Sequence, residues 1–225
     1  MAKLGKNISR TNEDKLLSFY YKSVDYFEKN KNRVYTILTI IAVIIAVIFV
    51  FFRNQASKSE SASLELSKVK QFYLSGSYQQ AINGDSLGMS KGLIYIVDNY
   101  GSTESGEAAK VLLANSYYFM RDFDKAEKFY KEYSGSNEIY RATSFAGLAS
   151  IYEAKNDFPN AAKLYEKASK VSKIVSNNDE YLLNAIRAYS LSKDNENTKR
   201  TIKELKTEYP KSKLIAQLTR YEIPE

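Results

Sequence analysis

Few residue types are available for chemistry, because the 225-residue chain contains no histidine and no cysteine. The absence of histidine removes the commonest general base and the commonest metal ligand. The absence of cysteine excludes disulfides, thiolate metal sites, thiol nucleophiles and an acylated lipoprotein anchor. The sequence therefore predicts a non-enzymatic protein that uses no metal and no cofactor.

Two groups of residues could still carry chemistry. Asp122 and Asp124 are neighbouring carboxylates that could exchange protons with a substrate. They fall at a helix–turn–helix corner, where solvated helix caps are the ordinary interpretation. The segment 83–90, NGDSLGMS, is a glycine-bearing loop that could hold an ion or a phosphate. It lacks both phosphate-loop spacing and the ligand series of a calcium loop, so we interpret it as a structural or partner-facing loop.

The chain has 19 tyrosines, which could stack on nucleobases or sugars. Most of them recur where helices would pack, so a hydrophobic core explains them better. Charge does not favour nucleic acid either. Of the net charge of +7, +4 lies before residue 34, and the part after residue 52 is nearly balanced, with 25 basic and 22 acidic residues. We therefore expect protein partners and no nucleic acid.

The element that must position everything else is the apolar stretch 34–52, VYTILTIIAVIIAVIFVFF, whose only polar residues are Thr36 and Thr39. As a helix it would be about 28 Å long, close to the hydrocarbon thickness of a bilayer. A strand of this length would be exceptional, and a buried core helix would normally keep a polar face. The sequence predicts a single transmembrane helix.

The charges on either side of this stretch predict its orientation. Lys29, Lys31 and Arg33 crowd its N-terminal edge, whereas Arg53 and Lys58 follow it. This excess predicts a cytoplasmic N terminus and places the rest of the chain on the other side of the membrane. A cleaved signal peptide is the alternative. It fits poorly, because the apolar run is long and begins 33 residues into the chain.

Residues 1–33 form the predicted cytoplasmic basic tail. Thr11 to Asp14 resemble a capping box, and the helix after them would carry one apolar face. Lys15, Lys22 and Lys29 recur every seven residues on another face. Such an amphipathic helix could lie on anionic lipid, dock on another membrane protein, or simply continue into the span.

Residues 53–61 form a polar connector without glycine or proline, which favours a helix that continues from the span. From residue 62 to residue 225 the chain repeats an aromatic–small–aromatic pattern. Tyr117 and Tyr152 are 35 residues apart, and Tyr189 follows 37 residues later. Small residues fall where two helices would cross closely, at Ala114, Ala126, Ala149 and Ala161.

This pattern resembles the tetratricopeptide repeat, a helix–turn–helix unit of about 34 residues. In the turns, Arg121, Asn156 and Lys193 stand where the family usually has glycine. Units two and three fit well. Unit one, interrupted between its helices by the segment 83–90, and unit four are degenerate, as terminal repeats often are. The resemblance implies a solenoid of helical hairpins. With the predicted single transmembrane helix before it, the whole chain is expected to be all-α.

The first helix of each pair lines the concave side of such a solenoid. Carrying the repeat spacing over, we predict a partner-binding groove made of Asn115, Tyr118, Phe119, Ser150, Glu153 and Arg187. An aromatic pair with one acid and one base fits peptide or protein recognition. The alternative is that Phe119 packs under the membrane-proximal helix and the protein fills its own groove.

The whole layout resembles the bacterial YfgM-like family. The segment 13–31, with Val24, Phe27 and Asn30 leading into the apolar stretch, is similar to that family's juxtamembrane entry. The resemblance implies a single-pass protein of the bacterial inner membrane with a periplasmic repeat domain. It also implies protein partners, namely Sec translocon subunits, a periplasmic chaperone or prolyl isomerase, and exported chains. It implies no catalytic residues.

Three functions follow, in order of preference. The first is a non-enzymatic, membrane-anchored interaction module ancillary to the Sec protein-export channel and periplasmic chaperones. The second is an envelope scaffold for cell-wall or outer-membrane assembly that uses the same groove. The third is an enzyme that uses carboxylates or tyrosine, which the lack of histidine and cysteine disfavours.

Overall fold

The computed structural model of the chain describes residues 6–221. Within this range it contains ten α-helices, a C-terminal 3₁₀ helix and no strand, which confirms the all-α prediction. The helices are α1 (Lys6–Lys29), α2 (Lys31–Leu74), α3 (Tyr78–Asn83), α4 (Gly92–Tyr100), α5 (Glu104–Phe119), α6 (Phe123–Glu132), α7 (Glu138–Ala154), α8 (Phe158–Ser169), α9 (Asn178–Leu191), α10 (Asn195–Glu208) and the 3₁₀ helix Lys213–Tyr221.

The chain divides into two compact units, Met1–Gln55 and Ala56–Glu225. In the first unit, Asn30 alone separates α1 from α2. Its amide donates to the Tyr26 carbonyl at 3.0 Å, and its carbonyl accepts from the Val34 amide at 3.0 Å, so helical hydrogen bonding continues across the break. Helix α2 includes the predicted connector, residues 53–61. The predicted domain boundaries after residues 33, 52 and 61 stay predictions.

Helix α2 contains the apolar stretch and is a candidate membrane span. Among the described residues it is the one helix that is long and apolar enough to cross a membrane, and none of its apolar window is buried. Ile45, Phe49 and Phe52 are each more than half exposed. This exposure contradicts the alternative of a core helix buried inside the protein.

Helix α1 begins at Lys6, so Thr11 and Asp14 lie inside the helix and the predicted capping box is wrong. No glycine or proline interrupts the chain between Lys6 and Lys29, and the helix therefore extends upstream of the polar residues. The polar, basic character of residues 1–9 also predicts disorder there. Helix α1 contradicts this for residues 6–9, and residues 1–5 lie outside the described residues.

Each helix pair of the second unit turns at one residue in the left-handed conformation. These residues are Gly76, Arg121, Asn156 and Lys193, with φ of 75°, 62°, 61° and 60°. The next amide closes the turn: Asp122 N donates to Tyr117 O at 2.9 Å, and Asp157 N donates to Tyr152 O at 2.8 Å. This hydrogen bond belongs to a Schellman motif, which normally uses glycine at the left-handed position.

An aspartate caps the second helix of units two, three and four. The side chains of Asp122, Asp157 and Asp194 each accept a hydrogen bond from the amide three residues later. Such a cap satisfies a backbone donor that the helix itself leaves unpaired. The interpretation of Asp122 as a helix cap is therefore confirmed.

The helix crossings are built on alanine, as predicted. Ala114, Ala126, Ala149 and Ala161 are all completely buried. Ala114 and Ala126 share one core cluster with Val111, Leu148, Ile151 and the buried ring of Tyr130. Ala149 and Ala161 belong to the next cluster, with Tyr165 and Tyr189.

The segment 83–90 lies elsewhere in unit one than predicted. It does not separate the two helices of the pair; it divides the second helix into α3 and α4. Gly84 and Gly92 close its base with positive φ, and a Cβ on Gly84 would lie 2.3 Å from the Ser90 carbonyl oxygen. Only glycine permits this close approach of two backbone segments.

Candidate functional site: a partner-binding groove

Helices α5 to α9 and the end of α2 surround a cavity of about 270 Å³ on the solenoid. We call it the groove cavity. Its lining is aromatic, small or amide-bearing, and none of these twelve described residues carries a charge: Tyr73, Asn115, Tyr118, Phe119, Tyr130, Thr143, Ala146, Gly147, Ser150, Tyr165, Tyr181 and Asn184.

A hydrogen-bonded chain crosses one end of the groove cavity. The Tyr130 hydroxyl of α6 donates to Asn115 Oδ1 of α5 at 2.5 Å, and Asn115 Nδ2 donates to the Tyr73 hydroxyl at 2.9 Å. Burial raises the pKa of Tyr130. Burial also raises the pKa of Tyr73, against the opposing effect of the bond from Asn115. Both phenols therefore stay neutral and hold the Asn115 amide in one orientation.

The next repeat unit contains the equivalent contact. The Tyr165 hydroxyl of α8 lies 2.9 Å from Ser150 Oγ of α7 and donates to Glu153 Oε2 at 3.0 Å. Burial is the main cause that raises the pKa of Tyr165 to about 12. Tyr130 and Tyr165 are 35 residues apart, as are Asn115 and Ser150, so the repeat reproduces the contact between second-helix tyrosine and first-helix polar residue.

Gly147 lets the Tyr130 ring lie directly against helix α7. A Cβ on Gly147 would be 2.2 Å from Tyr130 Cζ, far inside van der Waals contact. Any side chain at this position would push the ring out of its place. Glycine at position 147 of α7 therefore helps to shape the groove cavity.

Four of the six predicted groove residues line the cavity, namely Asn115, Tyr118, Phe119 and Ser150. The other two, Glu153 and Arg187, bind each other through two hydrogen bonds of 3.0 and 2.9 Å. Their charges are thus paired within the protein.

Phe119 packs on α3. Its ring stacks on Tyr78 with centroids 4.9 Å apart and planes at 9°, and 56% of the side chain stays exposed. The ring of Tyr118 lies against Phe123, with centroids 5.5 Å apart. The end of α2 does reach the cavity, through Tyr73. The protein therefore fills one end of the groove itself and leaves the aromatic pair accessible.

Sequence reasoning missed the residues that second helices and neighbouring units add to the groove cavity, above all Tyr73, Tyr130, Tyr165, Tyr181 and Asn184. The 35-residue spacing of Tyr130 and Tyr165 is a signal that could have found them, but it suggests only a role in core packing. In the structure these two rings have both roles, because they are buried in the core and also line the cavity.

The residues of the other candidate sites make contacts within the protein. The hydrogen bond from Lys125 lowers the pKa of Asp122, and Asp124 lies in solvent with a 3.6 Å contact to Lys155. Hydrogen bonds within the loop 83–90 hold it in place; for example, Met89 N donates to Asp85 Oδ1 at 2.8 Å.

Among residues 6–221, histidine, cysteine, aspartate and glutamate form no group of three that could hold a metal ion.

Comparison with known proteins agrees with this geometry. Residues 24–179 match the family model described as a tetratricopeptide repeat-like domain. Searches of curated proteins and of solved structures gave no match. The matched segment is more than half of the chain and contains three of the four turns, the buried alanines and most of the groove described above, so the chain belongs to the tetratricopeptide repeat-like domain family.

Proposed function

We propose that this chain is a non-enzymatic, membrane-anchored protein-interaction module, ancillary to the Sec protein-export channel and to periplasmic chaperones. Domains of this family are typically non-catalytic and bind protein partners. The observation that carries the proposal is the open, uncharged aromatic groove cavity, which is found in the same chain as the candidate span.

The candidate span supports an anchor. Its apolar side chains are exposed, and such a surface is stable in lipid but not in water. The family match begins at residue 24 and so includes the apolar stretch 34–52 along with the repeats. Lys29, Lys31 and Arg33 favour a cytoplasmic N terminus, which would place the repeat domain in the periplasm of a bacterial inner membrane.

The layout supports a place beside the export channel. A short basic tail, one span and a repeat domain resemble the YfgM-like family, in which that arrangement accompanies the translocon. In this proposal the span docks laterally on the channel, and the groove cavity holds a chaperone, a prolyl isomerase or an emerging chain near the exit.

Affinity purification of the full chain in mild detergent tests the proposal. We expect channel subunits and a periplasmic chaperone to be recovered with the unaltered chain. Recovery of only cell-wall or outer-membrane factors would reject the export role and favour the envelope scaffold. Photo-crosslinkers at Tyr118 and within the span separate partners of the groove from partners of the membrane helix.

A matched pair of variants connects the partner to the groove. Tyr118→Ala removes a ring that lines the groove cavity, whereas Ile174→Ala removes an apolar side chain, 73% exposed, that lies outside the lining. We expect the first to reduce recovery of the periplasmic partner and the second to leave it unchanged. Equal recovery with both variants would show that the partner binds elsewhere.

A further inference from the structure

We propose that the occupant of the groove cavity is an uncharged, proline-containing extended segment of a partner protein. This inference rests on the proposed function and deepens it, because it names the chemistry of the segment that the groove selects.

The first argument is charge. The lining carries no charged side chain, although the chain as a whole is 26% charged. The nearest pair, Glu153 and Arg187, is already neutralised by two hydrogen bonds. A charged side chain that entered the groove cavity would lose hydration without gaining a counter-ion. The groove therefore discriminates against acidic and basic segments.

The second argument is the aromatic lining. Tyrosines 73, 118 and 181 contribute partly exposed rings from three different helices, whereas Tyr130 and Tyr165 also line the cavity but are buried. Aromatic-lined grooves bind polyproline segments, because the flat rings accept pyrrolidine rings and because the segment is already extended before it binds. A segment that is ordered beforehand loses little conformational entropy on binding.

The third argument is the hydrogen-bond inventory. Among the described residues, the Tyr118 hydroxyl and the Asn184 side-chain amide have no hydrogen-bond partner, although both line the groove cavity. The Asn115 amide keeps a second N–H after its bond to Tyr73. All three can donate. A proline-rich segment presents carbonyl acceptors and lacks the amide donors that a strand-like segment would also have to satisfy.

The neutral lining also predicts how binding responds to solution conditions. Burial raises the pKa of Tyr73, Tyr130, Tyr165 and Tyr181, so these phenols stay protonated well above neutral pH. Binding without ion pairs is insensitive to salt screening. Affinity should therefore be flat in both pH and ionic strength, unlike affinity at a charged groove.

Fluorescence polarisation with the full chain in a neutral detergent tests the inference. The probe is fluorescein-labelled decaproline, and the competitors are unlabelled peptides of equal length made of alternating Gly-Ser, alternating Asp-Pro or proline alone. We expect only all-proline peptide to compete strongly. Its Kd should change less than about twofold between about 50 and 500 mM NaCl.

Two variants and one control connect the signal to the groove. Tyr118→Ala and Asn184→Ala should each weaken decaproline binding by about fivefold or more, a range typical of contact residues in an interface. Ile174→Ala should leave it unchanged. Circular dichroism melting of all three variants establishes that they are folded, which the partial exposure of Tyr118, Asn184 and Ile174 favours.

The inference fails if the Gly-Ser or Asp-Pro peptide competes as well as decaproline, or if binding is lost at high salt. Its failure is distinct from failure of the proposed function. A partner that is recovered through Tyr118 but is not displaced by decaproline overturns the inference and leaves the interaction module standing. Specific decaproline binding with no recovered envelope partner supports the inference and rejects the proposed export role.

Discussion

Glu153 and Arg187 are 34 residues apart, yet the guanidinium donates to both carboxylate oxygens, at 3.0 and 2.9 Å. The pair joins α7 to α9, the first helices of successive units. Glu166 and Arg200, also 34 residues apart, join the second helices α8 and α10 through bonds of 3.0 and 2.8 Å. In each ion pair the two residues are one repeat length apart, and the two pairs together fix how unit four stacks on unit three.

The carboxylate of Glu166 should make stability depend on acid pH. Burial alone would raise its pKa, but hydrogen bonds from Arg200, Lys170 and Tyr189 outweigh burial and lower the pKa to about 2. A carboxyl group with a lowered folded pKa stabilises the protein above its unfolded value of 4.5, and this contribution is lost as pH falls toward 2.

The measurement is urea unfolding of the unaltered chain and of Glu166→Gln as a function of pH. We expect the unaltered chain to be the more stable at neutral pH, and the difference to shrink steadily below about pH 4.5. If the difference in unfolding free energy between the two proteins stayed constant down to about pH 3, the ion pair would not set the pH dependence.

The left-handed turn of unit two should be stabilised by glycine. Arg121 has φ of 62°, and its exposed side chain makes no ion pair within the described residues. A side chain in this conformation costs about 1 kcal/mol, so Arg121→Gly should stabilise the protein by up to about that amount. Asn156→Gly should gain less, because asparagine tolerates the conformation better.

Gly76→Ala is the matched control in the opposite direction. Gly76 has φ of 75°, and a Cβ there would meet nothing within 4 Å, so only backbone strain can destabilise this variant. We expect a loss of about 1 kcal/mol in thermal or urea unfolding. If Arg121→Gly destabilised the protein as well, the turn would not have the left-handed conformation described.

The repeat units could be predicted from sequence because each depends on local chemistry. Ala126 and Ala161 lie at positions that tolerate only a small side chain, and Asp122 stands at a helix start where a cap is needed. Period and residue type were enough to place them. Arg121 was also placed correctly, although it replaces the residue that its conformation favours.

The groove cavity could be predicted only in part, because its walls come from different units. Ser150 lines the cavity, whereas Arg187, which the 37-residue spacing selects on α9, does not. Two residues of α9 line the cavity, Tyr181 and Asn184, and Asn184 lies 34 residues after Ser150. A shift of three residues is about one helical turn. Tyr73 could not be predicted at all, since it reaches the cavity through a hydrogen bond from Asn115, which is 42 residues away along the chain.

Enlarging a buried alanine should destabilise the helix crossings. Ala126 and Ala161 are completely buried, and replacement by leucine would overpack the contact between paired helices. We expect each change to cost about 1–3 kcal/mol or more in urea unfolding. Ala154→Leu, at an exposed position, is the control and should change stability by less than about 0.5 kcal/mol. Equal effects at buried and exposed positions would contradict the repeat register.

Gly147→Ala should damage the groove through Tyr130 and not through helix propensity. Alanine is the better helix former by about 1 kcal/mol, so propensity alone would stabilise α7. The added Cβ would instead lie 2.2 Å from Tyr130 Cζ and displace the ring that holds Asn115. We expect a net loss of about 1–3 kcal/mol in urea unfolding, as for other overpacked sites.

A double-mutant cycle with Tyr130→Leu separates the two effects. Leucine removes the ring atoms that a Cβ on Gly147 would meet, so adding Gly147→Ala in that background should cost little or even stabilise the protein. A coupling energy near zero would mean that the ring can move aside freely. In that case the network of Tyr130, Asn115 and Tyr73 would not be the rigid wall that the groove cavity requires, and binding to the groove should tolerate Gly147→Ala.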